Sequence, residues 1–497
     1  MNFLQPEKHT RRAFLRRSGN LALAGTAMPF ALNLAAMGEA AAFDANDYKA
    51  LVCVFMYGGN DYGNTVVTYD DASYDKYSLI RGGGAGRTAG GIALAKADLM
   101  PTLLSGFAKD GATGLSDSRQ YALHPSMTGL AGLFNTGKVA VQLNVGPLMA
   151  PTTRAGYNSG NRTTNPLPPS LFSHNDQQST WQSSSPEGST IGWGGNLGDL
   201  ALSSNRTSLF TCISVTGNAV FLSGDNALQY QIGSNNAVKI AGATSPVYGS
   251  AAVRDAVARL TQAASPQVLE NEYSAITKRA ITAETDMTAA LDTTKSVANV
   301  YPAPFDAFDN SNPLATQLRM VARIIASRTT LGSKRQVFMV SIGGMDLHDN
   351  LIANQVGNMK RVSDAMTQFY QATVQLGVAD KVTAFTASDF GRTLASNGDG
   401  TDHGWGSHHM VVGGAVNGSA FYGTAPPVSV GNSTTLPDDQ WHVGQGRLLP
   451  STSVDQYAAT MAKWFGVAGS EMGGILPNLG RFAGNSAYPT DLGFMKP

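Results

Sequence analysis

Three apolar runs in this chain end in the same way, and that shared ending constrains the fold more than any other feature. Ala50 to Tyr57 (ALVCVFMY) stops at Gly58, Gly59, Asn60 and Asp61, and Gln336 to Ile342 (QVFMVSI) stops at Gly343, Gly344, Met345 and Asp346. Val382 to Thr386 (VTAFT) is followed closely by Asp389. Apolar runs of strand length without alternation are expected of strands covered on both faces, as in a parallel sheet. Leu351 to Leu376 reads as a helix joining the second run to the third, which makes those two a helix-linked pair of parallel strands. In open α/β sheets ligands gather beyond the carboxyl ends of the strands. Paired glycines let the backbone turn tightly there, so Asp61, Asp346 and Asp389 are expected on one rim.

The third run opens the stretch richest in chemistry. Between Asp389 and a further apolar run, Met410 to Val416, lies a Gly/Asn/Asp-rich loop carrying Asp399, Asp402, His403, His408 and His409, with three of the eight histidines of the chain. This predicts strand, functional loop, strand. Imidazole and carboxylate form the usual ligand set for zinc and similar divalent ions, and Asp346 with His348 two residues on converges on such an ion. Adjacent residues entering a strand point to opposite faces, so only one of His408 and His409 is expected to face the site.

The first 42 residues read as an address. Arg11 and Arg12 precede Phe14 and Leu15, a weakly apolar run from Leu21 to Ala36 follows, and Ala40 to Ala42 offers small residues for cleavage. This is the pattern of a twin-arginine export signal; its apolar run, broken by Pro29 and Asn33, is too short for a permanent span. The expected destination is the periplasm or the medium, with the twin-arginine translocase as transient partner. That route often carries proteins folded around a metal, which favours one here. The segment holds five of the 35 basic and two of the 35 acidic residues, leaving 30 against 33. Such a near-neutral chain has no basic tract for nucleic acid and no remaining run of membrane length. Residues 43–497 are expected to form a single α/β domain with long loop insertions.

Elsewhere the signals are weaker. Cys53 and Cys212 have no spacing that suggests a disulfide framework or metal site, and read as core thiols. Residues 69–118 read as irregular loops. His124, before Pro125 and a short periodic stretch, is expected at a helix N-terminus, where an anion is favoured. Residues 147–193 read as loop, in which His174 and Asp176 suit a substrate wall or a metal shell. Residues 253–298, 314–328 and 454–465 read as amphipathic helices.

Taken together, VFMYGGND at 54–61, LHPSMTGL at 123–130, SHNDQQ at 173–178, GGMDLHDN at 343–350, SDFGRT at 388–393 and TDHGWGSHH at 401–409 resemble the exported bacterial family known as domain of unknown function 1501. The resemblance covers nearly all of the chain past the export signal. It implies an alkaline phosphatase-like α/β fold of the phosphatase/sulfatase superfamily, with a large, mostly parallel central sheet flanked by helices. It further implies divalent metal (zinc, manganese or calcium) at the carboxyl rim and a small anionic phosphate or sulfate ester as substrate. By that resemblance Asp61, Asp346, His348 and Asp389 are metal ligands, with His403 or His408 filling the position that Phe390 leaves without an imidazole. His408 is preferred to His409, because the superfamily draws a late ligand from just before such a strand. The superfamily's hydroxyl or thiol nucleophile has no counterpart; His124, a shifted Ser126 or a metal-activated water takes its place, and Arg392 pairs with the anionic group. The alternative expectation is a catalytically degenerate member that binds a ligand or partner in the periplasm.

Overall fold

Strand β1 (Lys49–Met56) lies at the heart of the molecule, and its alternate side chains serve two separate cores. Ala50, Val52, Val54 and Met56 join one buried cluster, whereas Leu51, Cys53 and Phe55 join the other. A strand covered on both faces has no polar side to show, which is why its sequence runs apolar without alternation. The computed structural model describes residues 45–497 apart from 84–85, 106–114, 116–117, 241 and 296–300; the export signal expected over 1–42 lies outside them.

The further strands are β2 (Val66–Thr68), β3 (Tyr121–Leu123), β4 (Val139–Gly146), β5 (Cys212–Ser214), β6 (Gln229–Gln231), β7 (Arg335–Ile342), β8 (Val382–Ser388), β9 (Ser407–Gly413), β10 (Ala420–Tyr422) and β11 (Thr452–Ser453). Among the described residues eight of these and β1 make one nine-stranded sheet in the order β10-β4-β9-β8-β1-β7-β5-β6, with β11 also on β4; β2 and β3 pair separately. Strand β9 runs antiparallel to both of its neighbours, and every other pairing in the large sheet is parallel. The fold is therefore mixed α/β with a large, mostly parallel sheet.

Helices cover both faces. Helices α1 (Thr128–Asn135), α2 (Pro313–Ala326) and α3 (Leu351–Gln375) bury their apolar stripes in the first core, while α4 (Trp193–Ala201) and α5 (Val454–Phe465) fill the second. Local chemistry sets their ends. Asn312 caps α2 ahead of Pro313, and Ser453 with Gln456 closes a capping box on α5, satisfying backbone donors that have no partner within the helix. Cys53 and Cys212 are buried free thiols, as expected of core residues. No helix of the described residues is long and apolar enough to cross a membrane.

Several local expectations are corrected. Strand β9 begins at Ser407 rather than at Met410, so His408 and His409 are inside it. Residues 121–123 form a strand and the following helix starts only at Thr128, so His124 is not at a helix N-terminus. Within 147–193, read as loop, residues His174–Ser183 form helix α6. Its sequence, HNDQQSTWQS, has no apolar periodicity, and tertiary contacts such as the burial of Trp181 hold it.

Candidate metal centre

Register brings the acids together. Met56 of β1 pairs with Ile342 of β7 and with Ser388 of β8, so the three strands end level. Beyond that line Gly58 takes a φ of +114°, and a Cβ there would stand 2.5 Å from the backbone nitrogen of Asp346. Only a glycine permits so close an approach of the two loops. The chain after β8 then folds back on itself, with a bridge between Arg392 and His403, a hydrogen bond from Gly404 N to Gly391 O (2.7 Å) and one from Gly391 N to Trp405 O (2.9 Å). This carries His403 to the rim beside Asp346.

The group that converges there is His174, Asp346 and His403, each offering one ligand atom, with these atoms all within 4.8 Å of one another. Each imidazole is oriented from behind. Nδ1 of His403 lies 2.7 Å from the carbonyl oxygen of Phe172; a carbonyl only accepts, so Nδ1 carries the proton and Nε2 keeps its lone pair, 3.3 Å from Asp346 Oδ1. Nδ1 of His174 lies 2.6 Å from Oδ2 of Asp389, and its Nε2 stands 3.4 Å from Asp346 Oδ2. An imidazole that donates one nitrogen to a carbonyl or carboxylate and presents the other is the arrangement found behind metal-ligating histidines. The donor set of two imidazoles and one carboxylate fits a divalent ion with open positions.

Charge is arranged to suit. Burial works to raise the Asp346 carboxyl, but the Arg392 hydrogen bond and charge, with His348 and His174 nearby, outweigh it and hold the group below the usual carboxylate range. His174 is shifted upward, chiefly by its hydrogen bond to Asp389. His403 is shifted downward by burial, against the pull of the Phe172 carbonyl. Asp389 is fully buried, and its Oδ2 receives Gly58 N–H (3.1 Å) and Gln178 Nε2 (2.8 Å) besides His174, while Oδ1 has no hydrogen-bond partner among the described residues. His348 is adjacent, its Nε2 3.0 Å from His403 Nε2 and 3.1 Å from Asp346 Oδ1, and its Nδ1 3.5 Å from Asp402.

Of the residues expected at the site, the structure thus brings together Asp346, His348, Asp389 and His403, and it adds His174 from the helix that the sequence did not show. The remaining four stand elsewhere or do something else. Asp61 is buried with both carboxylate oxygens on Arg81 at 2.6 and 2.7 Å, so its charge is spent on an internal ion pair. His124 is buried with Nδ1 2.8 Å from Ser126 Oγ, and burial pushes its pKa down to about 4, which leaves it neutral. His408 accepts from Asn144 N at 3.0 Å and packs edge-on against Tyr62; burial pushes it down to about 3. His409 lies on the other face against Trp181. The two histidines do alternate, but both point through the sheet faces into core, because the site lies beyond the strand ends and not on a face. Arg392 is wholly buried, donating to Asp346, to Gly58 O and to Thr401, so it holds protein groups rather than a substrate. Of His174 and Asp176, read together as suiting a substrate wall or a metal shell, His174 joins the cluster, and Asp399 caps the approach to α3 by accepting from Asn350 N at 3.1 Å.

The profile of a family described as "Protein of unknown function (DUF1501)" matches residues 48–439, a stretch that contains every residue of the cluster. No curated protein matches the chain.

Proposed function

Because this chain belongs to the DUF1501 family, whose description carries no reaction, we propose its function from the site itself: a metal-dependent hydrolase of phosphate or sulfate esters with an alkaline phosphatase-like sheet. One observation carries the reading, the convergence of His174, Asp346 and His403 at the carboxyl rim with both imidazoles tied at Nδ1. Two nitrogen donors favour zinc over calcium, which prefers oxygen throughout. Such an ion, when bound, polarises the ester oxygen and makes an attacking water more acidic.

The protein's own residues do the rest. Asp389 and the Phe172 carbonyl hold the two imidazoles in the tautomers that present Nε2. Arg392 keeps Asp346 ionised and fixes its direction. His348, 44% exposed beside His403, is placed to pass a proton between the site and solvent. Water is the fitting nucleophile, since the side chain where the superfamily carries its hydroxyl is the buried, neutral His124. The twin-arginine pattern in residues 1–42 supports export to the periplasm or beyond.

Phe390 favours a second reading, a binding protein without turnover, because its apolar ring packs against both His174 (4.8 Å) and His403 (4.7 Å). One experiment separates the two. Protein exported with its own leader is analysed for metal and offered aryl phosphate, phosphodiester and aryl sulfate with zinc or manganese. The hydrolase reading expects stoichiometric metal and turnover that disappears in Asp346→Ala. Metal without turnover on any ester supports the binding reading, and absence of stoichiometric metal overturns the metal centre itself.

A further inference from the structure

We propose that Arg447 binds the anionic head of the substrate, a tetrahedral oxyanion, through the two terminal nitrogens of its guanidinium at the edge of the His174–Asp346–His403 cluster. The proposal rests on the metal-centre reading above and supplies what that reading lacks, a cation with donors to spare. Arg392 does not serve, since it is wholly buried and each of its nitrogens already donates to Asp346, Gly58 or Thr401.

Arg447 is held in place without being used up. Its Nε donates to the backbone carbonyl of His403 at 2.7 Å, and its guanidinium carbon lies 5.4 Å from the centre of the Phe172 ring. Its terminal nitrogens have no hydrogen bond or ion pair among the described residues. A planar fork fixed at one nitrogen and stacked on a ring is organised in advance for a two-point contact with an oxyanion.

The surrounding backbone is shaped to the same end. Phe172 has a φ of +73°, a left-handed conformation that is unusual for a bulky residue and persists only where its surroundings hold it. In that conformation its carbonyl meets His403 and its ring lies under Arg447, so one strained residue orients both a ligand and the cation. The turn before Arg447 is clamped to the 389–407 loop. Gly446, at φ +70°, approaches Leu394 so closely that a Cβ would lie 2.4 Å from the Leu394 Cβ, and its carbonyl accepts from Tyr62 Oη at 2.8 Å.

The test titrates inorganic phosphate and inorganic sulfate into the zinc-loaded full chain by calorimetry, for wild type, Arg447→Met and Arg447→Lys, with zinc affinity measured separately by chelator competition. Loss of a charge-assisted contact is expected to weaken anion binding about 10- to 100-fold in Arg447→Met, with part recovered in Arg447→Lys and zinc affinity within twofold of wild type. Equal anion affinity in wild type and variant overturns the proposal, as does a wild type that takes up zinc and binds neither anion. Should Arg447→Met not fold, Arg447→Lys decides: about tenfold weaker binding supports the role, and unchanged binding overturns it. A wild type that takes up no zinc overturns the metal-centre reading instead. Anion binding to that metal-free chain then bears on Arg447 alone, supporting it if lost in the variants and overturning it if absent or unchanged.

Discussion

Nδ1 of His174 stands 2.6 Å from Oδ2 of Asp389, although the two residues are 215 positions apart in the chain. The contact joins the first residue of helix α6 to the residue just past strand β8, and it turns Nε2 of His174 toward Asp346. Asp389 therefore acts on the site through His174, and is better described as a positioning residue than as a ligand.

That distinction is measurable. Asp389→Asn is expected to weaken zinc affinity about 10- to 100-fold, the usual cost of removing an outer partner, whereas His174→Ala removes a direct ligand and is expected to cost more. Chelator competition on both variants checks the order; a larger loss in Asp389→Asn would make it the ligand.

His408 is a core residue. His408→Ala is expected to leave zinc affinity unchanged and to lower unfolding stability by about 2–4 kcal/mol, through the cavity left beside Tyr62 and the unpaired Asn144 N–H. Urea unfolding and metal titration of the same variant decide the matter. A lost metal with unaltered stability contradicts the assignment.

The Asp61–Arg81 pair is buried on both sides, with side-chain exposures of 3% and 0%. Breaking such a pair from one side strands the remaining charge and typically costs about 3–5 kcal/mol. Asp61→Ala is accordingly expected to fall in melting temperature while the folded fraction still binds zinc. Gly63 makes the pair possible, since a Cβ there would lie 2.6 Å from a terminal nitrogen of Arg81. A variant that melts like wild type but has lost its metal would return Asp61 to the ligand set.

Asp455, at the start of helix α5, sets a pH dependence remote from the site. Burial pushes its carboxyl up to about 6, against hydrogen bonds from Asn478 N and Ser184 Oγ. An unfolded aspartate titrates near 4, so between roughly pH 4 and 6 the folded chain binds more protons, and stability falls as pH rises. The contribution is present below the unfolded value and is lost by about pH 6, a change on the order of 2–3 kcal/mol. Asp455→Asn removes it. Urea unfolding of both proteins from pH 4 to 7 should show the variant gaining on wild type by that amount, and parallel profiles would contradict the assigned shift.

What could be read in the chain alone was whatever depends on neighbours in sequence. The unbroken apolar runs 50–57, 336–342 and 382–386 specify strands buried on both faces, the glycine pairs specify sharp turns after two of them, and periodicity over 351–376 and 454–465 specifies helices. From these, parallel strands and a rim bearing Asp61, Asp346 and Asp389 followed; His348 and His403 came from their ligand chemistry, and the large, mostly parallel sheet from the family resemblance. The choice among rim residues did not. Whether Asp61 meets a metal or Arg81 depends on a cation twenty residues away, and whether Arg392 faces substrate or protein depends on Gly58 and Thr401. His174 reaches the cluster because Asp389 and a buried Trp181 anchor a helix that has no apolar stripe of its own. Those outcomes belong to the tertiary structure, because a polar side chain takes the partner that satisfies it when buried, and that partner is chosen by the fold and not by the local sequence.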